Sequence, residues 1–272
     1  MTDRATAFTR IACGVLLTAC GACAPKLVAI PTGTGTPAPD FAASFDQASS
    51  ACRAVHSLTA DIGLAGRAGR QRVRGHLVAG FDEPASLRLE AVAPFGAPVF
   101  ILVARENKAT LWLEREDRVV TNVSSADILD ALTGMRLGAD VLRAIVAGCV
   151  LPGPQPSSGR GYPNGWLAVD IGSGATAYLR RTQGQWRIVA GQVADFYIGY
   201  DQFQNGRPAA ITLQSSVEDD GQPAVNLALT LNQANVNPSL KANAFEVNVP
   251  PGAKPMTLDE LRREGPLANA KK

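Results

Sequence analysis

The chain is 272 residues long, 46% hydrophobic and 18% charged, with a formal net charge of +2. That length and balance allow one large β-rich domain, or two small ones, around a real core. They exclude a basic nucleic-acid binder, and no apolar run is long enough to cross a bilayer as a helix.

The first element is a targeting segment. Arg4 and Arg10 flank a short apolar stretch over 11–19, which ends in Leu17-Thr18-Ala19-Cys20. A charged start and a short apolar run make residues 1–19 a signal peptide. Small residues before a cysteine resemble the bacterial lipobox. The resemblance implies that Cys20 carries acyl chains, palmitate among them, and becomes the first residue of a mature lipoprotein. Two chains on one residue anchor firmly where one is marginal. Gly21 follows rather than the Asp of an inner-membrane retention signal, which points to the outer membrane, periplasmic face. The competing reading is an ordinary signal peptide cut near Ala22, with Cys20 lost. Residues 20–39, with the run PTGTGTPAP, read as a flexible tether of roughly 25 Å root-mean-square span and about 65 Å reach.

A folded domain is expected over 40–250. Asp40 offers an N-cap, and Phe41, Phe45, Ala48, Cys52 and Val55 then fall on one helical stripe. From Ser57 the apolar period changes to two. SLRLEAV sets Leu87 and Leu89 against Arg88 and Glu90; TLWLE places Leu111 and Leu113 on one face; QWRIV gives Trp186 and Ile188 one parity; VNLALTL aligns Val225, Leu227, Leu229 and Leu231. Turn residues such as Gly69, Pro84, Asn107, Asp117, Gly184, Gly206 and Gly221 fall between these runs. The apolar run over 99–104 does not alternate, so both its faces should be covered. The pattern is an antiparallel meander of about eleven strands, large enough to curl or close.

Two short helices interrupt it. Ser124 caps the first, with Asp127 three residues on; Ile128, Leu129 and Leu132 form its stripe and Gly134 stops it. The second begins over 138–140, carries Val141, Leu142, Ile145 and Val146, and ends at Gly148. Neither is long enough to stand alone. The pair should plug or lid the open mouth of the curled sheet. The segment 151–165 is then a loop into the second half of the meander, and 251–272 a tail with a short helix.

Residues 132–148, LTGMRLGADVLRAIVAG, resemble a segment of the LolB family of outer-membrane lipoprotein receptors, and APFGAPVFIL over 93–102 resembles that family's loop and following strand. The order of elements over 40–231 also matches. The tail ANAFEVNVPPGAKPM over 242–256 is more similar to LolA, the soluble carrier of the same fold. The resemblance implies a mainly β (α+β) fold, an incomplete antiparallel barrel closed by short helices, whose apolar cavity holds the acyl chains of lipoproteins. Leu87, Leu89, Leu111, Leu113, Trp186, Ile188, Leu227 and Leu229 are the candidate lining. The loop of Pro94, Phe95 and Gly96 would present an apolar residue to the membrane; the plainer reading packs Phe95 under its own turn.

No enzyme is expected. The two histidines, His56 and His76, form no metal-binding spacing, no nucleophile elbow is present, and GSG over 172–174 is a tight turn. No metal and no cofactor are implied. Glu218-Asp219-Asp220 and the run from Glu114 to Arg118 read as solvated turn ends. Arg70, Arg72 and Arg74 share one strand face: either a solvated surface, or a docking patch for anionic headgroups or for an acidic LolA-like periplasmic carrier. Cys52 and Cys149 both fall near the barrel mouth and are candidates for a disulfide in an oxidising compartment, against two buried thiols. The expected protein is a monomeric, outer-membrane-anchored lipoprotein that binds acyl chains and inserts lipoproteins. The alternative is a scaffolding envelope lipoprotein whose core its own side chains fill.

Overall fold

Most period-two segments pair with the segment next in sequence, while the last long one, over 225–236, pairs with the first, over 57–68. The computed structural model describes residues 28–69, 71–92, 98–219 and 221–267. The signal peptide over 1–19, Cys20, Arg70, the loop residues Pro94, Phe95 and Gly96, and Asp220 lie outside the described residues.

In chain order the elements are β1 (Thr36–Pro37), α1 (Phe41–Arg53), β2 (Ser57–Ala68), β3 (Gln71–Asp82), β4 (Ser86–Val92), β5 (Phe100–Arg105), β6 (Lys108–Leu113) and β7 (Arg118–Val123). The helix pair follows as α2 (Ser125–Thr133) and α3 (Ala139–Ala147). The second half holds β8 (Ser158–Tyr162), β9 (Trp166–Asp170), β10 (Thr176–Thr182), β11 (Gln185–Val193), β12 (Phe196–Gln204) and β13 (Arg207–Ser215). A small hairpin of β14 (Glu218–Asp219) and β15 (Gln222–Pro223), then β16 (Val225–Val236), β17 (Lys254–Pro255) and α4 (Leu258–Glu264) complete it.

Among the described residues one sheet of 15 strands runs β1-β8-β9-β10-β11-β12-β13-β16-β2-β3-β4-β5-β6-β7-β17. Two of the 15 are two-residue edge strands that carry no periodicity to read, and the thirteen longer ones still exceed the expected eleven. All pairings in this sheet are antiparallel except β17 on β7. The edges are β1 and β17; from β2 in the middle the chain runs outward to β7, crosses through α2 and α3 to β8, and returns to the middle at β16. That crossing is why the helix pair lies over the concave face. The sheet curls without closing by hydrogen bonds: an incomplete barrel, mainly β, with short helices in its opening.

The core fills the concave side. Leu58, Ile62, Phe81, Leu87, Leu102, Leu111 and Leu113 meet Ile128 and Ile145 from the helices, each 2% exposed or less. The run in β5 is buried on both faces: Phe100 and Leu102 join the core, while Ile101 and Val103 are buried on the other side. A turn of 3-10 helix, Ala242–Phe245, packs on β4 and β5, with Phe245 buried. Arg88 fixes it by donating to the carbonyl oxygens of Ala244 at 3.2 Å and Glu246 at 2.8 Å. Helix α1 lies on β8 and β11 at so close an approach that a Cβ on Gly159 would sit 2.1 Å from Phe41 Cβ. Asp40 precedes α1 but makes no side-chain cap, because its backbone is turned away from the extended N-cap conformation.

Part of the segment over 20–39 is held by the domain. Thr36 and Pro37 pair with Gly161 and Arg160, the Tyr162 hydroxyl donates to Gly33 O at 3.3 Å, and Ile30 packs on Ala168, Tyr178 and Ala190.

Candidate functional site

Beneath the helix pair lies an apolar cavity of about 210 Å³. Its floor is the sheet, through Leu64, Leu77, Leu89, Leu213, Leu227 and Leu229. Its roof is α2, α3 and their connection, through Leu129, Leu132, Met135, Leu137 and Leu142; Val73, Val92, Val99 and Phe100 form the rim. Pro266 and Leu267, just beyond α4, complete the wall.

Of the eight side chains expected to line it, three do: Leu89, Leu227 and Leu229. Leu87, Leu111, Leu113 and Ile188 are packed solid, each 3% exposed or less: Leu87 and Ile188 lie nearer the other end of their strands, whereas Leu111, level with Leu89 through Leu102, and Leu113 belong to β6, which packs against α2. Alternation assigns a side chain to a face, not to a position along the strand, so it could not separate filled core from cavity. Trp186 is half-buried at the start of β11, beyond the cavity. The Arg181 guanidinium lies 5.1 Å from its ring centroid and Gln47 Oε1 accepts its backbone N–H at 3.4 Å. The same period-two signal could have found Leu64, Leu77 and Leu213. Nothing local marks Leu267.

The roof has two halves held differently. Cys52 and Cys149 are joined by a disulfide with Cα atoms 5.5 Å apart, tying α1 to the end of α3. Tyr200 donates to the Cys149 carbonyl oxygen at 2.6 Å, and burial pushes its phenol pKa well up. The nearly buried Arg143 of α3 reaches Val55 O at 2.6 Å and Glu83 Oε1 at 3.1 Å. Helix α2 is held by its own cap and by the tail. The Ser124 hydroxyl accepts the Asp127 N–H at 3.1 Å; that hydroxyl first, and then Arg136, lower the Asp127 pKa. Arg262 of α4 meets Asp130 at 2.9 Å, while Arg118 of β7 pairs with Glu260 at 3.1 Å. The run from Glu114 to Arg118 is therefore not simply solvated, since Arg118 holds α4.

The histidines pair with carboxylates, His56 Nδ1 with Glu83 Oε2 at 3.0 Å and His76 Nδ1 with Asp61 Oδ1 at 3.3 Å. Among the described residues no group of three or more His, Cys, Asp or Glu could hold a metal ion, and no helix is long and apolar enough to cross a membrane. Arg72 and Arg74 are exposed on one face of β3, and Arg74 reaches the cavity rim.

The chain is similar to a LolA-superfamily structure. That protein, from Nitrosomonas europaea, is 10% identical, with a TM-score of 0.48 over 75% of this chain and 97% of the other. A putative outer membrane lipoprotein-sorting protein domain from Vibrio parahaemolyticus is 8% identical, with a TM-score of 0.42 over 70% of this chain and 88% of the other. A DUF1329 family protein from Desulfovibrio piger is 9% identical, with a TM-score of 0.43 over 75% of this chain and 96% of the other. No protein-family model matches the sequence, and no curated protein does.

Proposed function

We propose that this protein is a non-enzymatic lipoprotein, anchored through Cys20 in the outer membrane and facing the periplasm, that takes acyl chains of other lipoproteins under its helix pair and passes them to the bilayer. The observation that carries the reading is the cavity itself: an apolar space between sheet and helices, where close packing would otherwise leave none. At about 210 Å³, and open at its rim, it has room for a small apolar molecule. It falls short of the roughly 300–1,000 Å³ typical of ligand pockets. A whole acyl chain enters only if the roof rises, and each methylene then buried contributes about 0.8 kcal/mol. The reading is also supported by the sequence resemblance of 132–148 to a LolB-family segment, since Leu132, Met135, Leu137 and Leu142 of that stretch line the cavity. A LolA-like periplasmic carrier is the natural donor.

The scaffolding alternative is favoured by the solid packing of Leu87, Leu111, Leu113 and Ile188, which leaves only part of the interior open. Binding of a fluorescent fatty-acid probe separates the two. Wild-type protein should bind it, and Leu229→Phe, which fills the cavity without adding charge, should weaken binding at least several-fold with an unchanged circular dichroism spectrum. A wild-type protein that takes up no probe leaves the scaffold as the function.

A further inference from the structure

We infer that residues 28–37 are a strap that brings the anchor to the cavity end of the domain, so that the anchored protein meets the bilayer mouth-first. The inference rests on the proposed acylation of Cys20 and concerns what the fold does with that anchor.

The strap crosses the outer face of the sheet. It begins on the edge strand, where Thr36 pairs with Gly161, passes Tyr162 at Gly33, and lays Ile30 on Tyr178 and Ala190. Residues 28–32 then share a groove with Tyr197, Gln214, Ser216, Glu218 and Pro223. The sheet register shows where that groove lies. Phe196 is opposite Ser215, Leu213 opposite Leu227, and Val225 opposite Ala68. These are the strand ends that also carry the cavity lining Leu213 and Leu227. The chain therefore leaves the domain at the cavity end.

Length makes the direction matter. Seven residues, 21–27, separate Cys20 from Val28. Fully extended, the eight steps from Cys20 to Val28 reach about 28 Å, against the ~65 Å of a tether free over its whole length. A leash so short cannot carry its exit point far from the bilayer surface. The opposite strand ends, where Arg105 faces Lys108, are held away from it by the length of the strands.

The test uses lipidated full-length protein carrying Cys23→Ser, in vesicles of phosphatidylethanolamine and phosphatidylglycerol doped with nitroxide-labelled lipid. A fluorophore is placed at Val217→Cys, at the cavity end, or at Lys108→Cys, at the other. Quenching at 217 should exceed that at 108 several-fold. Ile30→Asp, which frees the strap from its aromatic seat, should erase the difference while the protein still floats with the vesicles. An insertion of roughly ten Gly/Ser residues between 27 and 28 should reduce quenching at 217 with the strap untouched. Flotation with equal quenching at the two positions overturns the inference and leaves the anchor standing. Loss of palmitate labelling from Cys20→Ala confirms the anchor; unchanged labelling in that variant removes the anchor and the inference together.

Discussion

Tyr200 shows how one side chain sets a limit on the fold. It is buried against the helix pair, and its hydroxyl is the donor that satisfies the Cys149 carbonyl oxygen. Burial raises its pKa above the ordinary value of 10.0, since the phenolate would lose its hydration without gaining a partner. A group whose folded pKa lies above its unfolded one stabilises the fold below the unfolded value. That contribution is lost as pH rises beyond about 10. The buried Tyr178, whose pKa burial also raises, adds to the same trend. Urea unfolding should therefore show stability falling above pH ~10. Tyr200→Phe should cost about 1–3 kcal/mol at neutral pH, the penalty for an orphaned buried acceptor, and flatten the alkaline slope. An unchanged slope in that variant would show that Tyr200 does not govern it.

Among the elements, the two roof helices differ in what would have to break for each to move. Helix α3 is tied covalently through Cys149, and a cross-link over a sequence separation of 97 contributes up to roughly 4.7 kcal/mol in the chain-entropy model. Helix α2 has its Ser124 cap, worth about 0.5–2 kcal/mol, and partly exposed ion pairs to α4 and Arg136, worth about 0–1 each. The cavity should open by movement of α2 with 133–138 and α4, while α3 stays. Hydrogen exchange should then be faster in α2 than in α3 in the oxidised protein. Replacing both cysteines with serine should lower stability by about 2–5 kcal/mol and bring α3 exchange up. Equal exchange in the two helices before reduction would refute a fixed half and a moving half. Protonating Asp127 removes its pairing with Arg136, so α2 should loosen as pH falls through the carboxylate range. The sheet edges show a separate constraint. Each ends in a two-residue strand containing a proline, Pro37 or Pro255, which cannot donate to a further strand.

For the whole molecule, the proposed delivery step joins anchor, cavity and rim. The loop of Pro94, Phe95 and Gly96 connects β4 to β5, whose facing ends carry the rim residues Val92, Val99 and Phe100. A phenyl ring inserted at the headgroup boundary would recover roughly 1.5–3 kcal/mol, enough to orient a docked domain and too little to anchor one. Phe95→Glu should leave probe binding and the circular dichroism spectrum intact and slow transfer of bound lipoprotein into outer-membrane vesicles. Phe95→Leu should retain most of the rate. Transfer by the Glu variant at the wild-type rate would remove the loop from the mechanism.

The sequence by itself determined what is local. Period-two alternation gave the inward face of β4, β6, β11 and β16, Ser124, Gly134 and Gly148 bounded the helix pair, and the unbroken apolar run in β5 announced cover on both sides. Each of these is set by backbone geometry within a few residues, so the chain states it directly. Tertiary structure decided which inward leucines border space and which are packed solid, because that depends on how far along its strand each lies and on what stands opposite. Leu229 and Leu111 read alike in sequence; one meets the cavity and the other does not. It also decided that Leu267 closes a wall and that Ile30 docks on the back of the sheet. Both are long-range contacts made by segments with no periodicity, and only the folded partner surfaces select them.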